Sequence, residues 1–123
     1  MKLVDTSAWI EFLRGTKSST DTRVQALLNS RDAAWCEIVV LELLNGASAG
    51  EVQRIERLRR EVWHFEIDAH VWSVALNLAI AARASAITTP TVDLVVAACA
   101  RVYDLQIEHH RDAHFEKLAM ISI

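Results

Sequence analysis

The stretch Lys2-Leu3-Val4-Asp5-Thr6-Ser7-Ala8-Trp9-Ile10 decides how this chain folds. Residues 2–5 predict a short buried strand, and residues 6–14 predict a helix with Trp9, Ile10 and Leu13 on its apolar side. Asp5 therefore stands at the carboxyl end of a strand, directly before a helix. An ionised carboxylate is unfavourable in apolar surroundings unless a cation or several hydrogen bonds compensate. This position indicates a functional carboxylate or a helix cap.

The same alternation of strands and helices continues along the chain. Further strands are predicted at residues 33–36, 63–67, 106–109 and 119–123. Further helices are predicted at residues 21–29, 38–47, 51–60, 69–84, 91–103 and 112–118. Strands that alternate with helices form a parallel sheet covered on both faces. We therefore expect an α/β fold, a three-layer α/β/α arrangement with a small, mainly parallel central sheet, in one domain over residues 1–123.

Composition and charge exclude several classes of protein. A hydrophobic content of 52% with one Pro and three Gly predicts a compact, helix-rich fold and excludes extended disorder. No apolar run reaches the ~18 residues of a membrane span, so we expect a cytoplasmic protein with no membrane partner. A net charge of −3 excludes a broad basic surface for nucleic acid. Cys36 and Cys99 belong to no metal-binding motif and are predicted to be buried free thiols.

Three further acids lie in or beside strongly apolar stretches. Glu42 stands in Ile38-Val39-Val40-Leu41-Glu42-Leu43-Leu44, with no Lys or Arg three or four residues away to pair with it. Asp93 precedes the apolar run 94–98, and Asp112 follows the last strand before a short helix. Four such carboxylates would repel one another unless a positive ion joined them, and oxygen ligands of this kind suit Mg²⁺ or Mn²⁺.

Three of the acids also have a purely structural interpretation. Asp5, Asp93 and Asp112 stand at or near predicted helix starts, where a carboxylate accepts hydrogen bonds from unpaired backbone N–H groups. Glu42 has no comparable explanation. Two of the acids follow strands, and ligands bind such sheets at the carboxyl ends of the strands. We therefore expect all four to converge there.

The order and context of the acids resemble the PIN domain, in particular the toxin of VapBC toxin–antitoxin modules. The resemblance rests on four segments in the same order, spread over nearly the whole chain: 4–10 around Asp5, 42–46 from Glu42, 93–98 from Asp93, and 110–115 around Asp112. One position departs from the pattern, because many relatives carry a further Asp where this chain has His114. Asp112 is thus the firm assignment and His114 an accessory. Thr6 and Ser7 resemble the hydroxyl position beside the first acid. The resemblance implies that such a hydroxyl holds a metal-bound water, and helix capping is an equal alternative.

The resemblance implies a metal-dependent endoribonuclease that acts as a toxin. Asp5, Glu42, Asp93 and Asp112 are then the catalytic and metal-binding residues, with Mg²⁺, or Mn²⁺ in its place, as cofactor. The implied partners are an RNA substrate, a small VapB-like antitoxin and a second copy of the chain. Candidates for phosphate contact are Arg14, Arg83, Arg101 and Arg111. Since Trp9, Ile10 and Leu13 are not all expected in the core, we place an apolar groove for a partner near the early helices.

Two other functions fit parts of the sequence. The first is a non-catalytic module with the same fold that binds RNA or a protein partner, although the presence of all four acids argues for catalysis. The second is a phospho-aspartate fold, because Asp5-Thr6-Ser7 also follows a strand. That chemistry needs a second Asp near the first and a lysine at the site. The only lysines are Lys2, Lys17 and Lys117, and none follows a predicted central strand.

Overall fold

Strands and helices alternate along the chain in the computed structural model, which describes residues 1–123. The strands are β1 (Lys2–Val4), β2 (Ala33–Cys36), β3 (Trp63–Phe65) and β4 (Gln106–Glu108). The helices are α1 (Thr6–Arg14), α2 (Ser19–Asn29), α3 (Glu37–Asn45), α4 (Ala49–Leu58), α5 (Ala69–Ala84), α6 (Thr91–Val102) and α7 (Ala113–Ala119). The four strands form one parallel sheet between layers of helices, which confirms the predicted α/β/α architecture.

The order of the strands creates a crevice beside β1. The sheet order is β3-β2-β1-β4, so the chain first builds outward on one side of β1 and then crosses to its other side. Leu3 of β1 lies opposite Ala34 of β2 and Ile107 of β4. Such a reversal of direction separates the loops that follow the two neighbouring strands and leaves a ligand-binding crevice between them. The residues that follow β1 and β4 therefore line this crevice.

The apolar side of α1 lies inside the protein. Trp9 is fully buried and packs against Trp35 of β2 with ring centroids 5.2 Å apart, and Leu13 is also buried. Ile10 is half-buried and packs against the same core. The expected apolar groove near the early helices is therefore wrong, because α2 and α3 pack against α1 and cover this stripe.

The predicted final strand at residues 119–123 is also wrong. Helix α7 continues to Ala119, and the residues after it form no strand. The Arg101 side chain holds this end of the chain, because its Nη2 donates to the carbonyls of Leu118 at 2.8 Å and Ile121 at 2.6 Å. Ile121 is buried in the core. It is the one buried residue of 119–123, and its burial accompanies this anchoring and not strand pairing.

Two other expectations can be compared directly with the structure. Cys36 and Cys99 are both buried and free, as predicted. No helix of the protein combines the length and the apolar character that crossing a membrane requires.

Substituting alanine at two glycines should change the free energy of unfolding in opposite directions. Gly15 ends α1 at φ 59°, and a Cβ there would touch nothing within 4 Å, so only backbone strain opposes alanine. Gly50 lies in the first turn of α4, with equal space and no positive φ. We expect Gly15→Ala to destabilise the protein by about 1 kcal/mol and Gly50→Ala to stabilise it by roughly 0.5 kcal/mol. Urea denaturation of both variants would contradict this if the two changes had the same sign.

Candidate active site at the carboxyl ends of β1 and β4

Asp5 is held at the end of β1 by its neighbours on both sides. Its backbone N–H donates to the carbonyl of Glu108 at 2.9 Å, which joins the end of β1 to the end of β4. Its Oδ2 caps α1, accepting from the backbone N–H of Ser7 at 3.1 Å and from the Ser7 hydroxyl at 2.8 Å. The residue is only 3% exposed, and Oδ1 has no hydrogen-bond partner. Burial raises the pKa of Asp5 in spite of the Ser7 hydrogen bonds.

Asp93 lies in the first turn of α6, a helix that packs between α5 and α7. The residue is 8% exposed, and its Oδ2 makes no hydrogen bond. Burial, followed by repulsion from Asp112 and Asp5, raises the pKa of Asp93 to about 7. Asp93 is therefore a desolvated carboxyl group that faces other acids. Helix capping does not explain it, because Pro90 occupies the N-cap position of α6.

Asp112 ends the turn between β4 and α7, and His114 lies in the first turn of α7. Arg111 takes φ 53° in this turn, and Asp112 then caps α7 through Oδ1, which accepts from the backbone N–H of His114 at 2.9 Å. The imidazole of His114 folds back over the cap. Its Nδ1 lies 2.9 Å from Asp112 Oδ1 and 3.2 Å from Asp93 Oδ2. The turn thus brings a carboxylate and an imidazole to Asp93.

Glu42 stands apart from the other three acids. It is an exposed residue on α3, and its Oε1 accepts a hydrogen bond from the hydroxyl of Thr6, the residue after Asp5. This contact connects Glu42 to the Asp5 side of the crevice through one side chain. The structure therefore brings Asp5, Asp93 and Asp112 close enough to repel one another, and it places Glu42 at their edge.

The chemistry of this group fits a divalent cation. Asp93, Asp112 and His114 each offer one ligand atom, and the three atoms all lie within 4.8 Å of one another. The buried oxygens Asp5 Oδ1 and Asp93 Oδ2 have no donor, and buried polar atoms rarely stay without a partner. Several carboxylate oxygens beside one imidazole suit Mg²⁺ or a first-row transition ion.

A second hydrogen-bond network reaches Asp5 through Ser7, whose hydroxyl donates to Asp5 Oδ2. The sequence analysis did not predict it. The backbone N–H of His110 donates to Ser7 Oγ at 3.0 Å, and the His110 ring lies 2.8 Å from the Thr20 hydroxyl and 3.4 Å from Glu11 Oε1. These partners are distant in sequence from His110. Only the place of His110 two residues before Asp112 could have pointed to it.

The four candidate arginines differ in their freedom to bind a ligand. Arg101 donates to two backbone carbonyls near the C-terminal end and so has a structural role. Arg14, Arg83 and Arg111 are exposed. Arg111 directly precedes Asp112, which makes it the candidate nearest in sequence to the acids.

The profile of the PIN domain family matches residues 2–120. This chain belongs to the PIN domain family. Two relatives agree with the match over nearly full length. VapC ribonuclease Mb1587 of Mycobacterium bovis is 34% identical, covering 99% of this chain and 94% of that protein. Ribonuclease VapC19 of Mycobacterium tuberculosis is 28% identical, covering 94% of this chain and 92% of that protein.

Solved structures share the PIN fold with this chain. VapBC2 from Rickettsia felis, bound to a DNA fragment from its promoter, has a chain with a TM-score of 0.73 at 14% identity, covering 86% of this chain and 84% of that one. FitAcB from Neisseria gonorrhoeae has a chain with a TM-score of 0.68 at 22% identity, covering 99% and 95%. At these identities the likeness establishes the fold.

The raised pKa of Asp93 predicts how the stability of the metal-free protein depends on pH. Between about pH 4, where an unfolded Asp titrates, and about pH 7, the folded protein binds more protons than the unfolded chain. The free energy of unfolding should therefore fall as the pH rises through this range and level off above it. Asp93→Asn should remove this contribution and raise the free energy of unfolding near pH 8 by up to about 4 kcal/mol.

Urea denaturation in EDTA from about pH 4 to pH 8 measures both effects. The matched control is Asp68→Asn, because Asp68 caps α5 through Val71 N–H and asparagine caps a helix about as well. The control should follow the pH curve of the parent. Parallel curves for the parent and Asp93→Asn would contradict the prediction.

Proposed function

We propose that this PIN-domain protein is a metal-dependent endoribonuclease and the toxin of a toxin–antitoxin pair. Its catalytic and metal-binding residues in this proposal are Asp5, Glu42, Asp93 and Asp112. The observation that carries the proposal is the group of buried, unpartnered carboxylate oxygens on Asp5 and Asp93 beside Asp112 and His114. Relatives named VapC ribonucleases over nearly full length support RNA as the substrate.

The four acids divide two tasks between them in this proposal. Asp5, Asp93 and Asp112 hold the ion, because their oxygens are the ones that lack donors or repel each other. The bound divalent ion, Mg²⁺ or Mn²⁺, supplies an activated water and neutralises charge on the leaving oxygen of a phosphodiester. Glu42 is exposed and tied only to Thr6, so it is free to take the proton of the attacking water.

A polymeric substrate agrees with the shape of this region. A cavity of about 530 Å³ lies between α6, β4 and α7, with Ala100, Phe115 and Leu118 among its lining residues, and it includes none of the four acids. Asp5 and Asp112 instead follow β1 and β4, and Asp93 and Glu42 lie on α6 and α3. The exposed side chains of Arg14, Arg83 and Arg111 are the candidates for contact with the RNA backbone.

The partners of the proposal are an antitoxin and a second copy of the chain. The likeness to VapBC2 and FitAcB supports an antitoxin partner. An exposed apolar stripe on α5 supports a homodimer, since Trp72, Leu76 and Ile80 follow one another at four-residue spacing with 47%, 65% and 69% exposure. Large exposed apolar residues on one helix face are typical of an interaction surface. We expect the complex in the cytoplasm.

Asp93→Asn tests the catalytic assignment. The substitution keeps the size of the side chain and removes its charge, so the fold should survive while metal-dependent cleavage falls at least ~100-fold. The measurement is cleavage of total RNA by the purified protein in Mg²⁺ or Mn²⁺, with circular dichroism as the check on folding. Expression of the parent without antitoxin should also arrest growth, and expression of Asp93→Asn should not.

Asp68→Asn is the control here as well, because it changes a capping carboxylate on the surface of α5. It should cleave RNA like the parent. Full cleavage by Asp93→Asn would refute the role of the acid. A folded parent that binds RNA but never cleaves it, and does not affect growth when soluble, would favour the non-catalytic interaction module instead.

Leu76→Glu tests the dimer surface. A charge in the middle of the α5 stripe should turn the dimer into a monomer, because an unpaired carboxylate is unfavourable in an apolar interface. Light scattering after size-exclusion chromatography gives the mass. Gln53→Glu, which adds the same charge to an exposed polar position on α4, should leave the dimer intact. A dimeric Leu76→Glu would rule out this face.

A further inference from the structure

We propose that Nδ1 of His114 is a direct metal ligand and that this nitrogen makes the site prefer first-row transition ions such as Mn²⁺ over Mg²⁺. The inference rests on the proposed function and names the ligand atom and the class of ion. Its geometric basis is the group formed by Asp93 Oδ2, Asp112 Oδ1 and His114 Nδ1.

The two distances from His114 Nδ1 to the carboxylate oxygens match those between neighbouring ligands of one ion. Adjacent ligands of an octahedral ion with bonds of about 2.1 Å lie about 3.0 Å apart. His114 Nδ1 lies 2.9 Å from the oxygen of Asp112 and 3.2 Å from the oxygen of Asp93. The nitrogen therefore occupies a place beside each oxygen that one ion can share with both.

A hydrogen bond from a protonated His114 Nδ1 does not take the place of a cation for the oxygens of Asp93 and Asp112. Asp93 Oδ2 is buried and makes no hydrogen bond, although His114 Nδ1 is only 3.2 Å away, so the two atoms are close but not aligned for one. A single N–H bond also points in one direction, whereas a cation attracts every lone pair around it. Asp5 independently indicates a cation at this place, because it is 3% exposed and its Oδ1 has no hydrogen-bond partner.

The His114 ring is free to present its lone pair to an ion. Its side chain is 38% exposed, so water can hydrogen-bond to the ring when the proton sits on Nε2. With that tautomer Nδ1 carries a lone pair toward the two carboxylates. The backbone N–H of His114 meanwhile holds Asp112 Oδ1 in place at 2.9 Å. One residue thus orients an oxygen ligand and supplies the nitrogen.

A nitrogen ligand changes which ion is bound best. Mg²⁺ is a hard ion that favours oxygen ligands and keeps several waters, whereas imidazole raises the affinity for first-row transition ions. Replacing this nitrogen by an oxygen should therefore move the preference back toward Mg²⁺. His114→Asp makes that replacement at the same backbone position.

The test uses the full-length protein loaded with Mn²⁺ and pulsed electron paramagnetic resonance. The parent should show hyperfine coupling between Mn²⁺ and a directly bound imidazole nitrogen, and His114→Asp should lose it. His64→Gln is the control, since His64 lies on β3 at the opposite edge of the sheet from β4, and it should keep the coupling. Asp93→Asn should bind Mn²⁺ weakly, which assigns the signal to this site.

Competition between Mn²⁺ and Mg²⁺ measures the preference itself. His114→Asp should lower the ratio of Mn²⁺ affinity to Mg²⁺ affinity by roughly tenfold or more. Mn²⁺ bound at the site without nitrogen coupling, or an unchanged affinity ratio, overturns the inference.

Cleavage of RNA is scored separately so that the two proposals fail differently. A parent that couples Mn²⁺ to nitrogen but cleaves no RNA overturns the proposed function and leaves the ligand assignment standing. A parent that cleaves RNA with Mn²⁺ and shows no coupling overturns the ligand assignment alone.

Discussion

The burial of Asp5 and Asp93 is the constraint on which the rest of the site depends. Both residues are buried, and each keeps one carboxylate oxygen without a donor. Burial disfavours their ionised forms, and the neighbouring Asp112 adds repulsion to both. The protein tolerates this arrangement because the surrounding sheet and helices fix the backbone at each acid. Such a local conflict between stability and position is typical of a functional site.

Helix capping and the proposed ligand binding involve the same side chains without competing. Asp5 caps α1 through Oδ2 and leaves Oδ1 without a partner. Asp112 caps α7 through Oδ1, which also lies nearest His114 Nδ1. A cap fixes the rotamer of a carboxylate by tying one oxygen to the backbone, so the other lone pairs point in a defined direction. The sequence left two interpretations of Asp5 and Asp112, a helix cap and a functional carboxylate, and the two are compatible in this structure.

The sequence predicted the fold and the convergence of four acids, because strand ends in a parallel sheet share one edge and Asp5 and Asp112 follow strands. Three of the four approach one another in the structure. It could not predict that Glu42 would reach the others only through Thr6, since that depends on the angle between α1 and α3. The prediction of a final strand at residues 119–123 failed because Arg101 holds this end of the chain through the Ile121 carbonyl, a contact that only the folded structure reveals. The stripe of Trp9 and Leu13 was misplaced because helix packing decides which apolar face is covered.

The charge of a bound ion would affect the binding of RNA as well as its cleavage. The chain carries a net charge of −3, and its candidate site gathers carboxylates at the place where a phosphodiester would have to sit. Without an ion this surface repels a polyanion, and three exposed arginines at separate places do not reverse its sign. A bound divalent cation is often the largest local charge in such a site, and its two positive charges offset part of this repulsion. On the proposed function, metal binding therefore precedes productive RNA binding. Loss of the ion should accordingly weaken the capture of RNA in the cleavable position as well as its hydrolysis.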